Sequence, residues 1–179
     1  ANAPKDVKEN VFNWWKEAAK VDDKEVEKDL EEYEEEITDK ELMWRPSNES
    51  NNINWIVWHM SRVEDMWFNF FCNKQLELWE SNSWYTHFNL PTRDNGFGHT
   101  ADQIKAFPKL DFADLLKYRN EVRNSTLNYL ISLQESDLTI VPREQRPEMA
   151  ISDVFVRILN ELFQHIGHIN YIRGLFNSK

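Results

Sequence analysis

The sequence predicts an all-α fold, a four-helix bundle with a long insertion between its second and third helices. Three observations carry that expectation. Apolar residues recur at i, i+3, i+4 and i+7 over long stretches, the period of a helix with one buried face. There are 4 Gly and 6 Pro in 179 residues, sparse within those stretches, which disfavours a sandwich or barrel of short strands. One long irregular stretch, Lys74 to Leu110, separates two periodic segments. A long connection can cross the end of a bundle, so up-down-down-up is the expected order, with simple up-and-down as the alternative.

The elements follow in chain order. Residues 6–20 read as a helix with Val7, Val11, Trp14, Trp15 and Ala18 on one side. Asp22-Asp23 supplies a break and a cap. Residues 24–37 form the next helix, carrying Val26, Leu30, Tyr33 and Ile37 at helical spacing. Thr38-Asp39-Lys40-Glu41 begins a short helical turn. Arg45-Pro46-Ser47 forces an extended connection, because a residue before proline avoids the helical region. Asn51 to about Asn73 is a strongly apolar helix with a stripe of Ile56, His59, Val63, Met66 and Phe70. The insertion is punctuated by Leu90-Pro91, Asp94-Asn95-Gly96, Gly98 and Phe107-Pro108. It is rich in aromatics (Trp79, Trp84, Tyr85, Phe88, Phe97), which predicts an ordered wall beside a pocket rather than a free loop. Residues 100–107 are expected to form a short helix in it. Residues 111–133 make the third long helix, with Leu115, Val122, Leu127 and Leu130 inward. A connection with Pro142 and Pro147 leads to the last helix, from Ile151-Ser152-Asp153 to about Phe176.

The bulk numbers set limits. The length predicts one domain over residues 1–179, with residues 1–20 as an N-terminal helical extension. The formal net charge is −10, against the basic face that nucleic-acid binding needs. The acid cluster between Asp22 and Glu36 reads as a solvated helix face, and the same charge discourages an anionic membrane surface. No apolar run approaches the roughly 20 residues of a membrane span. The chain starts without an apolar signal core and holds one cysteine, Cys72. Both point to a reducing, cytoplasmic setting. Cys72 reads as an inert buried thiol.

The candidate site lies on two of the helices. Glu161 and His165 stand four residues apart, so they project from one face one turn apart. His59 lies on the apolar stripe of the earlier helix. Three such side chains from facing helices make a metal site that leaves a position open for water or substrate. A carboxylate on an inward face is costly to bury unless paired or metal-bound. The competing reading pairs Glu161 with Arg62 or Arg173. His168 shares the face of Glu161 and His165, but about 10 Å of helix axis separates it from Glu161. It is expected beside the site or as a base, with His59, His165 and His168 as the alternative ligand set. His99 can line the site mouth or stand exposed on its loop. Arg62, Asp65 and Arg173 are expected in an internal ion-pair network, with anion binding by either arginine as the alternative. Trp55, Trp58 and Trp67 read as core.

Asn54-Trp55-Ile56-Val57-Trp58-His59-Met60-Ser61-Arg62-Val63-Glu64-Asp65 resembles the second helix of the DinB-like superfamily. Gln164-His165-Ile166-Gly167-His168-Ile169-Asn170-Tyr171-Ile172-Arg173-Gly174-Leu175 resembles its last helix. Leu42-Met43-Trp44-Arg45-Pro46 fits the segment before the first motif. Leu90-Pro91 with Gly96-Phe97-Gly98-His99-Thr100 is similar to an insertion in the branch that contains mycothiol-dependent enzymes. The resemblance covers roughly residues 24–177. It implies a four-helix bundle with one divalent metal, zinc or nickel, on three side chains. Some members use two His at i, i+4 in the last helix. The maleylpyruvate isomerase branch uses an acid followed four residues later by His, the pattern of Glu161 and His165. Characterised relatives act with a low-molecular-weight thiol as cofactor.

The expectation is therefore a metal-dependent enzyme acting on a small molecule by thiol S-transfer or thiol-dependent isomerisation, with His59, Glu161 and His165 as ligands. The alternatives are a non-catalytic, stress-associated protein that binds a metal or small ligand, a dimeric scaffold, and a metal-assisted hydrolase in which His168 is the obvious base.

Overall fold

The computed structural model describes residues 37–178; the helix expected over residues 6–20, all but the last residue of the one expected over 24–37, and the acid cluster lie outside them. The regular elements among the described residues are all helices, with no strand among them. In order they form α1 (Asp39–Met43), α2 (Ile53–Asp65), a π-helical continuation (Met66–Cys72), α3 (Leu78–Ser81), α4 (Trp84–His87), α5 (Ala101–Ala106), α6 (Phe112–Ser132), a 3-10 turn (Glu135–Thr139) and α7 (Ile151–Asn177). No helix among them is long and apolar enough to cross a membrane.

Side chains at the helix starts take up backbone N–H groups that have no partner within the helix. Thr38 accepts from Glu41 N–H at 3.2 Å. Asn52 accepts from Trp55 N–H at 2.8 Å, and Asp111 from Asp114 N–H at 3.0 Å. Thr100 and Gln103 cap α5 reciprocally, the capping-box arrangement.

The long helices α2, α6 and α7 bury one face each, with α2 packed on both others. Ile56, Trp58, Leu115, Val122, Leu130, Val154 and Ile158 meet in the core, all at most 1% exposed. Each such aliphatic side chain is worth about 1.5–3 kcal/mol in removed apolar surface.

Two expectations need correction. The helix expected to run to Asn73 changes pitch at Met66. The i→i+5 hydrogen bonds of a π segment make a wider turn and shift the faces. Phe68 and Asn69 therefore turn inward, and Phe70, expected on the apolar stripe, is 39% exposed. Tertiary bonds hold this turn, since Asn69 donates to Asp65 at 2.8 Å and accepts from Ser125 of α6 at 2.6 Å. Phe70 instead lies under the guanidinium of Arg143, 4.8 Å from its ring centre.

The insertion is ordered, as its aromatics predicted, but it holds two short helices, α3 and α4, that its turn residues concealed. Trp79 is its anchor. The ring is fully buried, its indole N–H donates to Pro91 C=O at 3.1 Å, and the Arg62 guanidinium lies 4.6 Å over it. Phe97, by contrast, is 85% exposed and takes no part in the wall.

Candidate metal centre

His59 of α2 meets Glu161 and His165 of α7 at one point. One ligand-type atom of each lies within 4.8 Å of the other two. Glu161 Oε1 faces His59 Nε2 at 3.3 Å and His165 Nε2 at 3.2 Å. The two rings stand edge to face, with centres 5.0 Å apart. The His59 side chain is 7% exposed and that of Glu161 30%, so the cluster is closed on the α2 side and reaches solvent beside Glu161. Burial, with the neighbouring His59, holds the His165 pKa below its ordinary value, and Glu161 opposes the shift.

The other nitrogen of His59 fixes its role. Nδ1 donates to the carbonyl of Asn95. That bond puts the proton on Nδ1 and leaves Nε2 facing the carboxylate, the tautomer in which Nε2 carries a lone pair for a cation. Trp55, one turn earlier, stacks on His59 at 4.8 Å and 10°. Its indole N–H donates to His99 Nδ1 at 3.2 Å, and His99 Nε2 in turn meets Asp94 at 3.0 Å. Asp94 also accepts from Gly96 N–H at 2.9 Å. Arg62 donates to the Asp94 carbonyl at 3.1 Å and pairs with Glu77 at 2.7 Å. The turn 94–99 is thus clamped against the back of His59.

Gly96 makes the close approach possible. It sits at φ +83°, where L side chains are rare, and a Cβ there would lie 2.7 Å from the Trp55 ring and 2.9 Å from the Trp58 ring. Gly96→Ala should lower stability by about 2–4 kcal/mol, from the backbone penalty and the overpacking together. It should also weaken divalent-metal affinity by roughly 10–100-fold, the effect of losing a ligand's outer hydrogen-bond partner. Thermal unfolding and a metal titration check both, and unchanged affinity would remove the clamp's role.

The structure brings His59, Glu161 and His165 together and leaves His168 outside. His168 is exposed, with its ring 5.5 Å from that of His165. Neither expected arginine partner of Glu161 meets it. Arg62 belongs to a buried network with Asp65, Glu77 and Tyr118. Arg173 pairs with Glu41 at 2.9 Å, apart from that network. His99 does not stand exposed on its loop but belongs to the clamp, bonded to Trp55 and Asp94. The sequence reading missed the Asn95 carbonyl, because a backbone acceptor carries no residue-type signature. The Asp94-Asn95-Gly96 turn was visible, but its target was not.

Cys72 is buried, and that burial pushes its thiol up to about 12, with Arg143 pulling the other way. The thiolate is the reactive form, and burial holds this thiol protonated at neutral pH. Iodoacetamide should therefore label the native protein more than about 100-fold more slowly than the unfolded chain, as followed by mass spectrometry. Fast native labelling would show that this helix end opens.

Whether the three residues suit a divalent ion can be judged from their own chemistry. Two imidazole nitrogens and one carboxylate oxygen are a donor set for zinc or nickel. His165 Nδ1 is buried with no hydrogen-bond partner, so one ring nitrogen of this donor set is left unsatisfied in a site where its other nitrogen already meets Glu161. The residues fit.

Three comparisons bear on the chain. The model of the DinB superfamily matches residues 23–169. No curated protein matches. Among solved structures, one described as a crystal structure of the conserved protein of locus from Enterococcus faecalis is similar over 100% of both chains. Its TM-score is 0.72 at 20% identity, a likeness of fold alone.

Proposed function

Because this chain belongs to the DinB superfamily, we propose that His59, Glu161 and His165 hold one divalent ion, zinc or nickel, and that the centre acts on a small molecule. The observation that carries this reading is the meeting of the three donors, with His59 Nδ1 committed to the Asn95 carbonyl. Three protein ligands are the number of a catalytic site that keeps a position open. An ion bound there would supply Lewis acidity and lower the pKa of a coordinated thiol or water.

The residues of the chain do the rest. Asn95 and the Trp55 ring hold His59 in one orientation. Glu161 supplies the negative charge that two neutral imidazoles lack, and its partial exposure leaves the approach for a small molecule on that side. The acid-then-His spacing of Glu161 and His165 resembles the thiol-dependent branch of the family, so the reaction is thiol S-transfer or thiol-dependent isomerisation, with a low-molecular-weight thiol as co-substrate. His168 stands beside the centre, where an exposed imidazole can move a proton to or from solvent.

Cobalt-loaded protein titrated with a low-molecular-weight thiol tests the reading. A thiolate-to-metal charge-transfer band is expected, and it should be absent with a thioether of the same size. Metal retained with no response to thiols would overturn the thiol reaction and leave metal-assisted hydrolysis or simple binding.

A further inference from the structure

A second cavity, of about 210 Å³, lies between α2, α6 and α7. Among the described residues, Ile53, Val57, Met60, Leu116 and Ile169 give it an apolar lining, together with two charged groups, Arg119 and Arg173. On α2 the lining positions 53, 57 and 60 form a face turned away from His59, because residues at i, i+4 and i+7 share one side of a helix. The cavity is therefore not the metal centre.

Arg119 is a misfit in this lining. It makes no ion pair among the described residues, and its hydrogen bond is a long one of 3.4 Å to Asn120 Oδ1. Glu64, the carboxylate that acts on it electrostatically, is already paired with Arg123 at 2.8 Å. Burial draws the Arg119 guanidinium down to about 10, Arg123 adds to the shift and Glu64 opposes it. Arg173, which also lines the cavity, is committed to Glu41. A guanidinium facing an apolar cavity without an ion pair of its own is costly. An anion entering with an apolar tail removes that cost, because the tail fills the cavity and the head pairs bidentately with the fork. At about 30 Å³ per water, the space suits a ligand of roughly seven to ten non-hydrogen atoms.

We propose that this cavity is a second ligand site, taking a small aliphatic monocarboxylate with its carboxylate on Arg119. Neither the metal centre nor its reaction is needed for it.

Hexanoate and its neutral counterpart hexanamide, titrated into the full chain stripped of metal and followed by NMR, test the site. Hexanoate should bind more tightly than hexanamide by about 10-fold or more, the fold-change of one charge-assisted hydrogen bond. Arg119→Met should abolish the difference while leaving hexanamide unchanged, and Arg119→Lys should keep most of it. Ile166→Trp, at the exposed rim of the cavity, should weaken both ligands. A His59→Ala, His165→Ala double variant should bind hexanoate as the parent does. Equal binding of acid and amide would overturn the site, as it would if Arg119 turned onto the unbonded Oε1 of Glu64. A preference that survives Arg119→Met, or hexanoate binding lost with His59 and His165, would overturn it too.

Discussion

Replacing His59 or His165 by alanine should abolish divalent-metal binding at micromolar concentration, a loss of more than about 100-fold, beyond what a ligand's outer partners control. The parent chain should take up about one ion per chain, the stoichiometry of a single tetrahedral site. Each ring supplies a nitrogen within 4.8 Å of the other two donors, and no other group of three His, Cys, Asp or Glu side chains among the described residues is placed to replace it. Glu161→Gln keeps the shape but removes the charge, and should cost roughly 10-fold or more in affinity. His168→Ala should leave metal content intact, since that ring is exposed and outside the cluster. Equilibrium titration against a competing chelator measures all four variants. Binding stabilises the folded state by mass action, about 2.7 kcal/mol at a hundredfold excess over Kd. Thermal shifts with and without metal therefore give a second readout. Retention of metal by both His variants would refute the centre, and loss of metal in His168→Ala but not Glu161→Gln would move the ligand set to His59, His165 and His168.

Asp65→Ala should be the most damaging substitution for stability outside the apolar core, by about 3–5 kcal/mol, the scale of breaking a buried ionic group. The carboxylate is 0% exposed. It accepts from Leu78 N–H and Trp79 N–H at 2.9 Å, from Tyr118 hydroxyl at 2.8 Å and from Asn69 at 2.8 Å. Arg62 lies 3.6 Å away. Deletion leaves these buried donors unsatisfied at about 1–3 kcal/mol each, less whatever relaxation recovers. It also leaves the Arg62 guanidinium with Glu77, whose carboxyl burial pushes up although Arg62 pulls it down. Asp65 joins α2, the π segment, the start of α3 and α6, so its loss frees the insertion at its anchor. A fall in Tm of about 2–4 °C per kcal/mol is expected for a chain of this size, measured by calorimetry. A loss under about 1 kcal/mol would mean that water satisfies those donors and the network is not what holds the insertion.

These two residue groups differ in how far the sequence disclosed them. The helical period, the scarcity of glycine and proline, and the i, i+4 spacing of Glu161 and His165 are local properties. They follow from 3.6 residues per turn and need no knowledge of the partner helix. The helix starts expected near residues 38, 51, 100 and 111 are local in the same way, and the structure places caps there at Thr38, Asn52, Thr100 and Asp111, each bonding within three residues of itself. The start of α2, the boundaries of α7, and the faces on which His59 and His165 sit were therefore open to a reader of the sequence.

What decided the rest acts across long stretches of chain. Arg62 and Asp65 looked like a pair, but Glu77, Tyr118 and the N–H groups of Leu78 and Trp79 are gathered only by folding. Arg173 shares their residue type and goes to Glu41 instead. The π turn that exposes Phe70 exists because Asn69 is held by Asp65 and Ser125, and periodicity carries no trace of a tertiary hydrogen bond. The tautomer of His59 depends on the carbonyl of Asn95, 36 residues away, and on a glycine whose missing Cβ lets that carbonyl approach. A carbonyl is the same atom in every residue, so only the folded chain could show which one His59 would meet.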